Sequence, residues 1–258
     1  MTSRKNWMIG MACHTYFDEA LMEEYAKAGF DCLEFYSTKY DDNYEAVRQW
    51  SKNTGVRAWS RHLNYTAELG VCRIHKEDVK QSLEIYKKMI DEAAMAGCSA
   101  VVVHPSNEVV KDERREELFL QATESISLLV EHAKQYDIAV CCENLPRSCL
   151  CRESSEMLRM ISMVPGLKVC LDTNHGYSED MCDYISKVAK HIYTTHVSDC
   201  DNISDRHWFP GKGTLNWKGI IEALEKGGYE GPFLYEVTMP EKATSLDVKK
   251  NQLELFKL

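Results

Sequence analysis

Long apolar runs are missing from this sequence. No stretch reaches the roughly 18 apolar residues that a membrane-spanning helix needs. No apolar segment follows Arg4 and Lys5, as it would in a secretory signal. Linkers rich in Pro or Ser and low-complexity tracts are also absent. We therefore expect a cytoplasmic protein with no membrane partner, in which residues 1–258 form one domain.

Basic residues are outnumbered, since 31 Lys and Arg face 40 Asp and Glu and give a formal charge of −9. This balance disfavours a nucleic-acid partner, because polyanion-binding surfaces need clustered Lys and Arg. The sequence has eleven cysteines. Their odd number and scattered positions do not indicate a disulfide framework. Several lie in apolar runs, where a thiol acts as a small hydrophobe, namely Cys98, Cys141, Cys142 and Cys170.

Short β-rich runs alternate with longer helical patterns along the chain. The predicted strands are Met8–Cys13, Cys32–Phe35, Val56–His62, Ala100–His104, Ile138–Glu143, Leu167–Asp172, Ile192–Val197 and Phe233–Val237. The predicted helices are Asp18–Gly29, Asp42–Thr54, His75–Gly97, Asp112–Tyr136, Glu153–Val164, Ser178–Lys190, Asn216–Gly227 and Leu246–Phe256. Strict alternation favours a parallel sheet. Because a (β/α)8 barrel takes roughly 250 residues, the sequence predicts the α/β class and a single (β/α)8 TIM barrel.

An open, doubly wound sheet is the competing fold. That fold usually carries a glycine-rich turn after its first strand, whereas the first predicted strand here ends in Ala-Cys-His-Thr. Gly29, Gly55, Gly97 and Gly166 stand between predicted helices and strands. A glycine is expected there at the helix C-terminus, so the local signals agree with the alternating pattern.

Ionisable side chains stand at the ends of six predicted strands. They are His62, His104, Glu143, Asp172, His196 and Glu236. Active sites of TIM barrels lie at the C-terminal ends of the strands, so closure of the barrel brings all six to one mouth. One such residue alone is often a hydrogen-bonded packing residue. Six in succession predict a metal or acid–base centre.

Three carboxylates and one imidazole among these residues form a candidate ligand set, namely Glu143, Asp172, His196 and Glu236. The set suits one divalent ion, with Mn²⁺ as our first choice and Zn²⁺, Co²⁺ and Mg²⁺ as alternatives. Two loops add further donors, namely His175 after the sixth strand and Asp205, Arg206 and His207 after the seventh. These residues would orient ligands, bind substrate or complete additional metal sites.

Six motifs resemble the xylose-isomerase-like TIM barrels, a superfamily of sugar phosphate isomerases and epimerases, ketose 3-epimerases, inosose isomerases and endonuclease IV. The motifs are Val101–Pro105 (VVVHP), Cys142–Pro146 (CENLP), Leu171–His175 (LDTNH), His196–Asp199 (HVSD), Asp205–Trp217 (DRHWFPGKGTLNW) and Gly228–Glu236 (GYEGPFLYE). They span strands four to eight. Weaker matches around Asp31–Glu34 and His62–Tyr65 extend the resemblance to most of the chain.

The resemblance implies that the four candidate ligands hold a central metal ion. It further implies that His175 and Arg206 bind substrate, and we add His62 and His104 as candidates for that role. The expected activity is isomerisation or epimerisation of a sugar or sugar phosphate by proton transfer through an enediolate, with Glu143 and Glu236 as the catalytic residues. Relatives are often homodimers or homotetramers. A bracing role for Glu34 stays open.

A nuclease of the endonuclease IV type is the main rival, because nine residues match the ligands of its three-zinc cluster. They are His62, His104, Glu143, Asp172, His175, His196, Asp205, His207 and Glu236. A DNA enzyme needs Lys and Arg around its mouth, but the loops here are mainly acidic. The acidic loop residues are Asp18, Glu19, Asp41, Asp42, Glu68, Glu108, Glu153, Glu179, Asp180, Asp199 and Asp201. A lyase or dehydratase of a carbonyl compound is a third class.

Two loop features leave their role open. Aromatic residues in the predicted mouth loops would either cover the apolar face of a sugar or pack the loops; they are Tyr16, Phe17, Tyr36, Tyr65, Trp208 and Phe209. The segment Gly211-Lys212-Gly213 is a candidate phosphate-binding loop, since such loops occur near the last two strands of TIM barrels. The same segment is also consistent with a turn that leads into the next helix, and we favour the turn.

Overall fold

Strands and helices alternate throughout the part of the chain that the computed structural model describes, residues 6–14, 16–37, 43–66, 68–73, 76–107, 109–176 and 178–258. The strands are β1 (Ile9–Cys13), β2 (Cys32–Phe35), β3 (Arg57–His62), β4 (Ala100–Val103), β5 (Ala139–Glu143), β6 (Lys168–Asp172), β7 (Ile192–His196) and β8 (Phe233–Tyr235). The helices are α1 (Glu19–Ala28), α2 (Tyr44–Thr54), α3 (Lys76–Ala96), α4 (Asp112–Ala133), α5 (Ser154–Met163), α6 (Met181–Val188), α7 (Trp217–Lys226) and α8 (Ser245–Leu255). The predicted helix starts at Asp42 and His75 lie outside the described residues.

The strands pair in parallel around a ring, in the order β7-β6-β5-β4-β3-β2-β1-β8. The ring closes between β7 and β8 through a parallel bridge of Val197 with Tyr235. The backbone N–H of Val197 donates to the carbonyl of Leu234 at 2.8 Å, and the N–H of Glu236 donates to the carbonyl of Val197 at 3.1 Å. The predicted single (β/α)8 barrel is confirmed.

Local chemistry explains where the elements lie. Strand β4, Ala-Val-Val-Val, is buried at every position, as expected for a strand with helices outside it and side chains inside the barrel. Gly29 and Gly55 end α1 and α2 with φ of 84° and 79°, and Gly97 and Gly166 also have positive φ. The left-handed region favours glycine, so the predicted helix ends are confirmed.

Two further findings concern the described residues. No helix there is both long and apolar enough to cross a membrane. All eleven cysteines belong to this part of the chain, and no disulfide joins any of them. Most of the thiols are buried, which agrees with their prediction as packing residues.

Strand ends differ slightly from the prediction. The fourth and eighth strands were predicted to end at His104 and Val237, whereas β4 ends at Val103 and β8 at Tyr235. His104 and Glu236 therefore follow the last paired residue of their strands. Both side chains line a cavity at the mouth of the barrel. They stand where the backbone passes from the strand into the following loop.

The buried carboxylate of Asp199 holds both ends of the long loop between β7 and α7. Its Oδ2 accepts the backbone N–H of Gly211 at 2.7 Å and the indole N–H of Trp217 at 2.8 Å. Its Oδ1 accepts the N–H groups of Cys200 at 2.9 Å and Leu215 at 3.2 Å. The loop that carries the predicted site residues after β7 is thus fixed at its base.

The same contacts bear on the candidate phosphate loop Gly211-Lys212-Gly213. The N–H of Gly211 is donated to Asp199, and the N–H of Lys212 is donated to the carbonyl of Phe209 at 3.0 Å. A phosphate-binding loop presents free backbone N–H groups to its ligand. These two groups serve the turn instead, which supports the favoured alternative.

Replacing Asp199 with asparagine removes the charge and one acceptor oxygen from this set of four hydrogen bonds. Leaving a buried donor without its acceptor costs about 1–3 kcal/mol, so we expect the free energy of unfolding to fall by about that amount. Urea denaturation measures the loss, with Asp183→Asn in the exposed first turn of α6 as the control. An unchanged midpoint for Asp199→Asn would show that the carboxylate does not secure the loop.

Candidate metal centre

Four ionisable side chains meet at the C-terminal end of the barrel. Glu143, Asp172 and His196 end β5, β6 and β7, and Glu236 directly follows β8. All four are buried, and their ligand atoms lie within 4.8 Å of one another. The structure therefore brings together the four predicted metal ligands, which we call the four-ligand cluster.

His196 lies at the centre of the four-ligand cluster. Its Nδ1 lies 3.2 Å from Oε2 of Glu236, 3.4 Å from Oε1 of Glu143 and 4.0 Å from Oδ2 of Asp172. Its Nε2 lies 2.8 Å from Oε1 of Glu34, a buried residue of β2. The ring is thus surrounded by carboxylates at both nitrogens.

Three atoms of the cluster are buried without a hydrogen-bond partner among the described residues, namely Oδ2 of Asp172 and both ring nitrogens of His196. Buried polar atoms in folded proteins are nearly always partnered. Coordination to a cation would satisfy Oδ2 of Asp172 and Nδ1 of His196. Three carboxylates and one imidazole suit a hard or borderline divalent ion, so the residues present fit the metal that the sequence predicts.

A second group of candidate ligands adjoins the cluster through Glu143. His62 and His104 approach its Oε2 with their Nε2 atoms, at 3.2 Å and 3.1 Å. Cys170, which the sequence predicts as a packing thiol, forms another group with Glu143 and His196. Glu143 is therefore shared among several sets of donors.

A third group adjoins the cluster through Asp172 and includes His175 and His207. Asp205 lies beside it, with Oδ1 at 2.8 Å from Nε2 of His207 and 3.7 Å from Nε2 of His175. The candidate additional ligands thus flank the four-ligand cluster on two sides. Their role as ligands stays a prediction.

Burial and neighbouring charges together lower the pKa of Glu143 and raise the pKa of Asp172. Burial disfavours the ionised form of Glu143, but the nearby His104 and His196 outweigh it and hold the pKa of Glu143 well below its ordinary value. Burial, reinforced by the negative charges of Glu236 and Glu143, raises the pKa of Asp172 to about 7. Without a cation, the cluster holds protons at neutral pH.

The flanking histidines favour their charged forms. Burial opposes the charge of His175, but Asp172 and Asp205 outweigh it and raise the pKa of His175 to about 9. Burial likewise opposes the charge of His207, and the hydrogen bond to Asp205 raises its pKa to about 10. These positive charges partly compensate the buried carboxylates.

Two asparagines fix the segments that carry the ligands. Asn144 spans β5 and β6, because its Nδ2 donates to the carbonyl of Asp172 and its Oδ1 accepts the N–H of the same residue, both at 2.8 Å. Oδ1 of Asn174 accepts the backbone N–H groups of Arg206 and His207, both at 3.2 Å. These bonds explain the asparagine in the CENLP and LDTNH motifs.

A cavity of about 260 Å³ adjoins the cluster. Glu143 and Glu236 line this cavity, together with His104, His175 and other residues, whereas Asp172 and His196 do not. The four-ligand cluster is therefore divided. Two of its members are accessible to a small molecule, and two lie deeper in the barrel.

Two tyrosines of the cavity wall stack on histidines, of which His104 also lines the cavity and His62 does not. The substrate-binding role of His62 stays a prediction. The ring of Tyr36 stacks on His62 at a centroid distance of 4.6 Å, and that of Tyr65 stacks on His104 at 4.0 Å. Phe17 instead packs in the hydrophobic core against Phe35 at 4.8 Å. The remaining predicted mouth aromatics do not line the cavity, namely Tyr16, Trp208 and Phe209.

Arg206, predicted to bind substrate, does not line the cavity. Its Nε donates to Oδ2 of Asp201 at 2.8 Å, and its guanidinium lies 5.4 Å from the ring centroid of Trp208. Arg147 is the arginine in the cavity wall, with a terminal nitrogen 3.8 Å from Oδ2 of Asp205. The substrate-binding role of Arg206 stays a prediction.

Sequence reasoning left Glu34 undecided and missed two residues near the cluster. Nδ1 of His14 lies 3.9 Å from Oε1 of Glu236. Arg147 has a positive φ of 60°, an uncommon conformation for a residue other than glycine. Its position directly after the CENLP motif was the signal available in the sequence. Nothing in the pattern around His14 pointed to Glu236.

Four of the acidic loop residues that counted against DNA binding have structural roles. Asp18 and Asp180 cap α1 and α6 by accepting backbone N–H groups, and Asp199 holds the loop before α7. Glu179 accepts the N–H and the hydroxyl of Ser154, both at 2.8 Å. Asp41, Asp42 and Glu108 lie outside the described residues, and the absence of a nucleic-acid partner stays a prediction.

Comparisons with known proteins show what the chain is similar to. The chain is 23% identical over 205 residues to an uncharacterized protein of Methanocaldococcus jannaschii, covering 73% of this chain and 68% of that protein. It is 22% identical over 233 residues to the D-psicose 3-epimerase of Enterocloster bolteae, covering 83% and 75%. A crystal structure of a D-tagatose 3-epimerase-like protein superposes with a TM-score of 0.83 at 20% identity over 97% of both chains, a likeness of fold.

The fold and the clustered carboxylates and histidines define a TIM barrel with a candidate metal centre at its C-terminal mouth. The model of the xylose isomerase-like TIM barrel family matches residues 22–255, and the chain belongs to that family. The resemblance predicted from the sequence motifs is therefore confirmed.

We expect Mn²⁺ to bind the four-ligand cluster more tightly as pH rises from about 6 to about 8. Ligands must lose their protons to bind a metal, and the pKa of Asp172 is raised to about 7, so protons compete with the ion on the acid side. Isothermal titration calorimetry at several pH values checks the trend. Asp172→Asn should abolish tight binding, and a pH-independent affinity would contradict the assignment.

Proposed function

We propose that this protein is a divalent-metal-dependent sugar isomerase or epimerase that moves a proton through an enediolate. The observation that carries the proposal is the division of the four-ligand cluster. Glu143 and Glu236 face the cavity, where they can react, while Asp172 and His196 lie beneath them as anchors. Relatives named as D-psicose 3-epimerase and fructoselysine 3-epimerase support a small sugar or sugar derivative as the substrate.

A divalent ion, when bound, would polarise a substrate carbonyl and stabilise the negative charge that develops on its oxygen. The four-ligand cluster would hold that ion, and Mn²⁺ is our first choice. The orphaned Oδ2 of Asp172 and Nδ1 of His196 support this assignment.

Glu143 and Glu236 supply the acid–base chemistry of the proposal. The surrounding histidines hold the pKa of both carboxyl groups below the ordinary value, although burial opposes this. Both groups are therefore ionised and able to accept a proton from carbon. Strands β6 and β7 separate them around the ring, so they approach a bound molecule from different sides. One removes the proton, and either returns it to a neighbouring carbon or to the other face.

Other cavity residues would bind and shield the substrate. Carboxylates outweigh the burial of His175 and raise its pKa to about 9. Its Nδ1 bonds to the carbonyl of Asn144 at 2.9 Å, which leaves the Nε2–H for a hydroxyl or carbonyl oxygen of the substrate. His104 lines the same cavity, as do Tyr36 and Tyr65, which stack on His62 and His104. Such aromatic surfaces pack against the C–H face of a sugar and exclude water.

Glu143→Gln should abolish proton transfer, because the amide cannot accept a proton from carbon. Loss of a general base lowers rates by about 10²–10⁴-fold. Proton NMR in D₂O, with Mn²⁺-loaded protein and a panel of ketoses, sugar phosphates and inososes, measures deuterium entry beside the carbonyl. The control is Glu92→Gln, a buried glutamate paired with Arg61 away from the cavity. Exchange that persists in Glu143→Gln would contradict the assigned role.

An abasic-site nuclease with three zinc ions is the second candidate. The two flanking groups favour it, since each provides candidate ligands beside the four-ligand cluster. Zinc content of the purified protein and cleavage of a duplex containing one abasic site test this function directly. Three zinc ions per chain with cleavage, and no deuterium exchange with any sugar, would replace the first proposal with this one.

A further inference from the structure

Glu34 is a buried carboxylate whose role the proposed reaction does not explain. It lies in β2, it has no exposed surface, and its Oε2 accepts a hydrogen bond from the hydroxyl of Ser60 at 2.6 Å. Among ion pairs in the described part of the chain, its partner is His196, with Oε1 at 2.8 Å from Nε2. A buried carboxylate needs such a partner, because an unpaired charge is strongly disfavoured in the interior.

The two nitrogens of His196 face different sets of groups. Nδ1 lies near the ligand atoms of Glu143, Asp172 and Glu236, and Nε2 lies near Glu34. Neither Oε1 of Glu34 nor Nε2 of His196 has a well-aligned hydrogen bond, although the two atoms are at hydrogen-bonding distance.

We propose that Glu34 is a positioning residue that accepts the Nε2–H of His196 and thereby presents Nδ1 as the metal ligand. This inference rests on the proposed function, because it assumes that the four-ligand cluster binds a divalent ion. A histidine that ligates through one nitrogen donates its other N–H to a carboxylate or carbonyl in most metal sites. That donation fixes the tautomer and the ring orientation and makes the ligating nitrogen more basic.

Ser60 completes the arrangement from the neighbouring strand. Residues Glu34 and Ser60 are paired in the β2–β3 ladder, so the hydroxyl lies beside the carboxylate by register. By occupying Oε2, it leaves Oε1 for His196. Hydroxyl, carboxylate and imidazole thus form a chain of contacts that runs from the barrel interior to the metal centre.

Glu34→Gln tests the charge while it keeps the shape of the side chain. We expect Mn²⁺ affinity, measured by titration calorimetry, to fall by about 10–100-fold, the usual effect of losing such a partner. Ser60→Ala should lower the affinity in the same direction by a smaller factor. Glu92→Gln is the matched control, because Glu92 is also a buried glutamate but pairs with Arg61, and it should keep the wild-type affinity.

Proton NMR of the Zn²⁺-loaded protein gives a readout that general destabilisation would not mimic. We expect a low-field, slowly exchanging Nε2–H resonance of His196, which moves upfield or broadens in Glu34→Gln and persists in Glu92→Gln. Wild-type affinity and an unchanged resonance in Glu34→Gln would overturn the inference and leave the proposed function intact. A wild-type protein that binds neither Mn²⁺ nor Zn²⁺ would overturn both.

Discussion

Four carboxylates share the buried interior of the barrel with one central imidazole. Glu34 lies at Nε2 of His196, and Glu143, Asp172 and Glu236 lie around Nδ1. Such a concentration of negative charge is stable in a low-dielectric interior only when positive charge accompanies it. Protonated histidines supply part of that charge, and the donor set suits a divalent cation for the rest. Among these histidines, His175 and His207 have raised pKa values and flank the cluster.

The candidate ligands and the other cavity residues stand on different parts of the fold. The four candidate ligands stand on strand ends or directly after them, where the paired backbone fixes their positions. The side chains that would select a substrate, such as Arg147 and Tyr65, stand on loops. Loops tolerate sequence change better than the strands of a barrel do. Barrels of one fold can therefore act on different substrates, and membership in the family identifies the fold more firmly than the reaction or the substrate.

The fold and the meeting of the strand-end residues were predictable from simple periodicity, whereas the choice of four candidate ligands among them came from donor chemistry and the family resemblance. Strict alternation predicts a parallel barrel, and closure of a parallel barrel places all strand ends together. Glu34 was harder to assign, since its contact with His196 joins distant strands and the β2–β3 register shifts between Leu33 and Glu34. Arg147 lines the cavity, whereas Arg206 bonds to Asp201 instead, and both positions depend on loop conformations. Such conformations have no periodicity, and the sequence alone does not reveal them.

Closure of the ring also determines when the centre can form. β1 pairs with β8, and the indole of Trp7 donates to the carbonyl of Tyr229 across 222 residues of sequence. Contacts between such distant segments form late, because the chain must first lose the entropy of a very long loop. Glu236 directly follows β8, so the last candidate ligand takes its position only when the last strand pairs. During synthesis, three candidate ligands emerge before the fourth, so the four-ligand cluster is complete only after β8 has paired with β1.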